Sequence, residues 1–263
     1  MRQVWAEFLK GIPDGRHGAE IYADERDVAE SVGRFLAAGF ERGEPGVVVA
    51  TPEHRRLFVS RLAEIGWDEE RIGPHLLIAV DAEETLASIM DGDQPSHSAF
   101  ETVVGGLLER AEAHGPGGSP RAFGEMVDLL CADGNEDAAF ELEGLWNDLA
   151  SRRRFRLLCG YRLDLFDLSC QSTTLPRVCR EHSHVMPARN YPRFARAVDR
   201  ALRDTVGSTE AANVYLRVSR QAGTDERIPL AQLILMWVSE NMPVRAQQIL
   251  ATAREHYTAA AVL

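Results

Sequence analysis

Residues 121–163 read RAFGEMVDLLCADGNEDAAFELEGLWNDLASRRRFRLLCGYRL, and this stretch alone limits the chain to a small set of folds. RAFGEMV has the composition of a strand whose end carries a carboxylate, Glu125. Gly134-Asn135 breaks the chain, and Ala139, Leu142, Trp146 and Leu149 then recur three or four residues apart, as on one face of a helix. The run 156–161 (RLLCGY) is continuously apolar rather than alternating, the pattern of a strand buried on both faces. Strand, helix, strand over this length predicts a parallel pair joined by a right-handed crossover. In such sheets ligands sit at the carboxyl ends of the strands, which singles out Glu125 and Tyr161.

The rest of the chain extends the same pattern. RHGAEIY (16–22) reads as a first strand, followed by Asp24 as the cap of a helix defined by Val28, Val32, Phe35, Leu36 and Phe40. Residues 47–50 form a short buried strand after the turn Glu44-Pro45-Gly46. A helix then begins at Pro52 and closes at Gly66, and a third strand (76–80) ends at Asp81. Two helical stretches, 83–90 and 96–114, lead to the loop GPGGSP (115–120). Beyond Tyr161 come helices over 173–181 and 191–205, and residues 1–15 read as a short leading helix. The expected fold is α/β, a mostly parallel sheet flanked by helices. It is complete within residues 1–207, with a small C-terminal helical tail over 208–263 broken near Gly223 and Pro243.

Charge and composition exclude several function classes. A net charge of −11 argues against a general nucleic-acid surface, which needs a basic stripe. Arg152-Arg153-Arg154 sits where it complements a helix macrodipole, and in the tail five arginines balance five acids. The tail is therefore expected to serve packing or homodimerisation rather than DNA reading. No apolar run approaches ~18 residues, so no membrane span is expected. The first residues lack the apolar core of a signal peptide. Four cysteines without a regular framework point to reduced thiols in the cytoplasm.

GEPGVVV after an amphipathic helix resembles the second strand of the KaiC/RecA-like ATPase core. There the preceding turn is a phosphate-binding loop whose glycines and lysine meet the nucleotide. In this chain the equivalent turn is Tyr22-Ala23-Asp24-Glu25-Arg26-Asp27, with no glycine and three carboxylates, and the only lysine, Lys10, lies outside it. Ordinary P-loop hydrolysis is therefore excluded. The acidic turn reads as a helix N-terminus, with divalent-cation binding as the rival reading. The chain instead resembles the MEDS sensory domain, named for methanogens, methylotrophs and DcmR, which is regarded as a KaiC-related core without its P-loop. That resemblance covers about 15–205. It rests on His17 and Tyr22, on GEPGVVV, on the ordered run GEMV…GN…LE.LWN…LLCGY, and on Cys179…His182-Ser183-His184-Val185…Pro187. It implies a non-enzymatic sensor of small hydrocarbon-derived compounds that feeds a signalling or transcriptional partner, with no cofactor.

The candidate ligand-binding residues are His17, Tyr22, Glu125, Tyr161, Cys159 and Glu143, with the ligand at the carboxyl edge among Tyr22, Glu125, Tyr161 and His17. Each has a structural counter-reading. Glu125 could cap or pair with Arg121 or Arg162. Glu143, three residues before Trp146, could pair with an arginine from a neighbouring element. Cys159 and Tyr161 share one strand face, as a buried thiol beside a satisfied phenol or as a pocket wall with Tyr161 at its mouth beside Glu125. Cys179, His182 and His184 are the only clustered metal-ligand types, but C-x2-H-x-H supplies at most three ligands. His17, His54 or Cys159 would have to complete the set. No GxSxG, CxxC or HExxH is present. A degenerate nucleotide-binding protein and a ligand-free scaffold are the rival functions.

Overall fold

The computed structural model describes residues 17–114, 117–186, 188, 190–223 and 227–259. The expected helix over 1–15, Lys10, and Gly115 and Pro116 of the GPGGSP loop lie outside the described residues. The chain divides into two compact units. The first comprises Met1–Arg162 with Glu181–Ser183, and the second comprises Leu163–Arg180 and His184–Leu263.

In the first unit β1 (His17–Tyr22), α1 (Glu25–Phe40), β2 (Gly46–Ala50), α2 (Pro52–Glu64), α3 (Glu69–Leu76) and β3 (Leu77–Asp81) follow in order. Next come α4 (Ala82–Ile89), the hairpin of β4 (Met90–Asp91) and β5 (Gln94–Pro95), and α5 (His97–Phe100). A π-helical segment (Glu101–Gly105) leads into α6 (Gly106–His114). The unit closes with β6 (Arg121–Gly124), α7 (Met126–Ala132), α8 (Glu136–Arg152) and β7 (Arg156–Arg162). Its five sheet strands lie in the order β3-β2-β6-β7-β1. All of these pairs are parallel, as the α/β reading required, and β7 runs between β6 and β1.

Short polar residues start most of these helices by accepting backbone hydrogen bonds. Asp24 accepts from Arg26 N at 2.8 Å, Asp81 from Glu83 N at 2.9 Å, and Asn135 from Ala138 N at 3.3 Å. Gly134, at φ 76°, makes the left-handed turn that delivers Asn135 to its cap. Alternation along the strands then fixes the two layers. Phe123 meets the Phe58 ring of α2, with centroids 5.1 Å apart, while a Cβ on Gly124 would point at Trp146 of α8. So α2 covers one face of the sheet and α8 the other. Ala139, Leu142, Glu143, Trp146 and Leu149 of α8 are all buried, the face that the sequence spacing marked.

Two stretches depart from expectation. Strand β6 stops at Gly124, and Met126–Ala132 is a helix, because Glu125 leaves the sheet and opens α7. Helix α3 and the β4–β5 hairpin lie between the expected elements. Arg152 stands in the last turn of α8, where a cation was expected, and it also pairs with Glu101 (2.9 Å) and Asp148 (2.7 Å), as Arg153 does with Glu109 (2.6 Å).

The second unit is helical. It contains a π-helical segment (Cys170–Thr174), α9 (Leu175–Glu181, whose last residue belongs to the first unit), β8 (His184–Val185), α10 (Tyr191–Val206), α11 (Ser208–Ala222), α12 (Leu230–Asn241) and α13 (Pro243–Ala259). Helices α10 and α13 pack along their length. Phe194 meets Phe166 at 5.5 Å and Tyr257 at 6.2 Å, and Arg193 lies 4.4 Å over the Tyr257 ring. The helix break at Gly207, where 208–263 was expected to separate, thus falls inside a packed unit.

Candidate functional site

The residues singled out from the sequence gather in two clusters on opposite faces of the first unit's sheet. Odd-numbered His17 on β1 shares a face with Cys159 and Tyr161 on β7, since His17 pairs with Leu157 and the three residues alternate in phase. Tyr22 projects to the other face.

The first cluster stands at the carboxyl edge. Glu125 follows the last residue of β6 and is 2% exposed. Its Oε1 accepts from the Thr51 backbone N–H at 2.5 Å, and its Oε2 accepts from His54 Nδ1–H at 2.5 Å. Thr51 caps α2, so the carboxylate lies against a helix N-terminus, which favours negative charge. Burial opposes charge on His54, but the hydrogen bond to Glu125 and its charge outweigh it and raise the imidazole above its ordinary value. Tyr22 reaches Asp128 of α7 with a 3.4 Å contact, while Asp128 Oδ1 also accepts from the Arg162 backbone N–H at 2.8 Å. Burial pushes the Asp128 carboxyl up to about 6 and raises the Tyr22 phenol as well. Behind this edge the His54 ring stacks on Phe58, 5.6 Å between centroids.

The second cluster is sealed between the sheet and α8. Glu143 is fully buried and accepts a short hydrogen bond on Oε1 from Tyr161 Oη. Its Oε2 has no hydrogen-bond partner. His17 donates from Nε2 to the Glu181 carbonyl at 2.7 Å. A carbonyl only accepts, so the Nδ1 lone pair faces inward, 3.8 Å from Glu143 Oε2 and 4.0 Å from Cys159 Sγ. The Ser183 backbone N–H and hydroxyl both donate to the His17 carbonyl, at 3.0 and 2.6 Å. This three-residue segment carries His182, whose Nε2 lies 3.6 Å from Glu143 Oε1 and whose ring lies 4.4 Å from that of His17. Desolvation, with His182 beside it, drives His17 down to about 4, and burial raises Glu143, Cys159 and Tyr161. Burial thus favours the uncharged form of each of these four groups.

The sequence model of MEDS, the methanogen/methylotroph, DcmR sensory domain, matches residues 16–183. The chain belongs to this family. No curated protein matches it. The MEDS match begins one residue before His17 and ends one residue after His182, so both clusters lie within it.

Within the MEDS domain the expected ligand site is divided. Tyr22 and Glu125 share the carboxyl edge, whereas His17 is the first residue of β1, at the opposite end of the strand from Tyr22. Tyr161 is not at a pocket mouth beside Glu125. It is fully buried and bonded to Glu143. Glu125 pairs with Thr51 and His54 rather than Arg121 or Arg162, because Arg121 is taken by Glu44 at 2.7 Å and the Phe35 carbonyl at 2.9 Å. Glu143 meets Tyr161 and two histidines rather than an arginine. Of the set Cys179, His182 and His184, only His182 joins a ligand-type cluster among the described residues, with His17, Glu143 and Cys159.

Two members of the edge cluster, Asp128 and His54, are not among the residues expected at the ligand site, His54 being expected only as a distant metal ligand. Two signals were available: the spacing E-x-x-D from Glu125 to Asp128, and a histidine in the first turn of the helix after β2. The helical unit holds a separate groove of about 640 Å3, lined among others by Gln171, Arg180, Leu233, Met236, Trp237 and Glu240. No helix among the described residues is long and apolar enough to cross a membrane.

Proposed function

We propose that this MEDS chain is a non-enzymatic sensor that binds a small, hydrocarbon-derived organic molecule at the carboxyl edge of its sheet. Tyr22, His54, Glu125 and Asp128 would contact the ligand, and a regulatory protein partner would receive the signal through the C-terminal helices. The observation that carries this reading is the convergence of these four side chains, from the ends of β1 and β6 and the first turns of α2 and α7, at the carboxyl edge inside the family match. In parallel sheets that edge is where ligands bind.

The long Tyr22–Asp128 contact, 3.4 Å, is the weakest bond of the cluster and the easiest for a ligand hydroxyl or amine to replace. Asp128 is the partly exposed member through which a ligand would enter. The aromatic rings of Tyr22, His54 and Phe58 offer an apolar side to the same molecule. The turn that would cradle a triphosphate carries Asp24, Glu25 and Asp27, and Asp24 is committed to capping α1. Binding transmits a signal only through differential affinity for two arrangements of the chain.

A thermal-shift screen of the full chain against alcohols, amines, organic acids and nucleotides tests the reading. An organic ligand at ~100 times its dissociation constant adds about 2.7 kcal/mol, which raises Tm by about 5–10 °C for a chain of this size. The shift disappears in Glu125→Gln and persists in Trp237→Ala, a change in the helical groove. A response to nucleotides alone, or an organic response lost only in Trp237→Ala, contradicts the proposal.

A further inference from the structure

We propose that His17, Glu143, Cys159 and His182 form a tetrahedral site for a divalent transition metal of the zinc class, with Tyr161 as its positioning residue. The inference is independent of the organic-ligand reading and concerns the other face of the sheet.

Four observations converge on it. The ligand atoms of these four buried residues all lie within 4.8 Å of one another; His17 Nδ1 lies 3.8 Å from Glu143 Oε2 and 4.0 Å from Cys159 Sγ, and His182 Nε2 approaches the other oxygen of the same carboxylate at 3.6 Å. Tetrahedral coordination at zinc bond lengths of about 2.0–2.3 Å puts ligand atoms about 3.3–3.6 Å apart. The 3.8 and 4.0 Å separations lie within about half an ångström of that range, and the widest separations, up to 4.8 Å, close with about an ångström of side-chain adjustment.

The tautomer of His17 is set by the Glu181 carbonyl, so its Nδ1 lone pair points into the cluster. That is the outer-shell arrangement that orients metal-bound histidines. Tyr161 performs the same service for Glu143. Its phenol occupies Oε1 and leaves Oε2, a fully buried oxygen with no hydrogen-bond partner, aimed at His17 Nδ1.

Charge supplies the fourth argument. A buried carboxylate beside a buried thiol is costly to ionise without a countercharge. One divalent ion with Glu143 and Cys159 as anions and two neutral imidazoles sums to zero. On binding, the thiol proton, and the carboxyl proton where present, leave to solvent. The neighbouring Glu181 carboxylate, held by Asn147 at 3.3 Å, adds negative potential that favours a cation. Two nitrogens, one sulfur and one oxygen form a borderline-soft set, suited to zinc, cobalt or nickel rather than to magnesium or calcium. The ligands come from β1, α8, β7 and the 181–183 segment, so the ion would tie together parts of the chain far apart in sequence.

The test uses the full chain, freed of metal with a chelator and titrated with Co2+ as the spectroscopic probe. One equivalent should produce the intense visible bands of four-coordinate cobalt and a near-ultraviolet thiolate-to-cobalt charge-transfer band. Cys159→Ala should lose the charge-transfer band, and Cys179→Ala should keep it. Tyr161→Phe should keep the band but weaken binding about 10–100-fold, the usual cost of an outer-shell partner. The weak pink spectrum of octahedral cobalt in the wild type overturns the proposal, as does a charge-transfer band that survives Cys159→Ala. X-ray absorption on the zinc-loaded wild type decides the matter without variants. One sulfur and three nitrogen or oxygen neighbours support the site, and a shell without sulfur, or with two or more, overturns it.

Discussion

Asp128 accepts hydrogen bonds from the Arg162 backbone and from Tyr22, yet burial pushes its carboxyl up to about 6 from the ordinary 3.8. A carboxyl raised in the folded state stabilises the fold fully below its unfolded value and loses that contribution as pH rises through the folded one. The window is therefore roughly pH 4 to 6. A shift of this size corresponds to up to about 3 kcal/mol between the two protonation states. Asp128→Asn removes the dependence, so its stability relative to wild type should climb across that window and level off above it. Urea unfolding at a series of pH values measures the difference, and a flat difference contradicts the assignment. The wild-type curve alone would not decide it, because His17, driven down to about 4, gains stability with rising pH over an overlapping range.

Residue types were legible in the sequence where chemistry is local. Asp24 as a helix cap and Cys159 and Tyr161 on one strand face follow from spacing alone, and both hold. What was not legible were partners across the sheet. Glu143 as a member of a histidine cluster depends on His17 and His182, brought together by hydrogen bonds between β1 and the 181–183 segment. No local pattern encodes a contact between residues so far apart in sequence.

At the scale of elements, β6 and β7 lie side by side and each carries a glycine. A Cβ at Gly160 would sit 2.9 Å from Phe123 Cζ and 3.1 Å from Cε2, in a ring already packed against Phe58. A Cβ at Gly124 would meet Trp146 at 3.5 Å, an ordinary contact. Gly160→Ala should therefore cost about 1–3 kcal/mol through overpacking, and Gly124→Ala should be close to neutral. Denaturant midpoints compare the two, and equal costs would contradict the facing of these strands. Periodicity located α2, α8 and α10 because each buries one face, and α1 because its large apolar residues keep the helical spacing although its second half is buried nearly all round. It missed α7, since MVDLLCA is too short to show a helical period and its apolar start continues the strand composition of RAFG.

For the whole molecule, the sheet unit carries both clusters, and the family match spans it from residue 16 to residue 183. The helical unit lies mostly beyond that match, and its own core, built on Phe166, Phe194 and Tyr257, makes it more than an appended tail. Its division from the sheet unit was hidden in the sequence because α9 and the 181–183 segment interleave the two along the chain. The central claim is that the carboxyl edge of the sheet binds the sensed molecule. Calorimetric titration of an organic compound from the screen into wild type, Asp128→Asn and Tyr22→Phe tests it most directly. The account predicts one site per chain and at least tenfold weaker binding in each variant, about 1.4 kcal/mol. Unchanged affinity in both variants would contradict it.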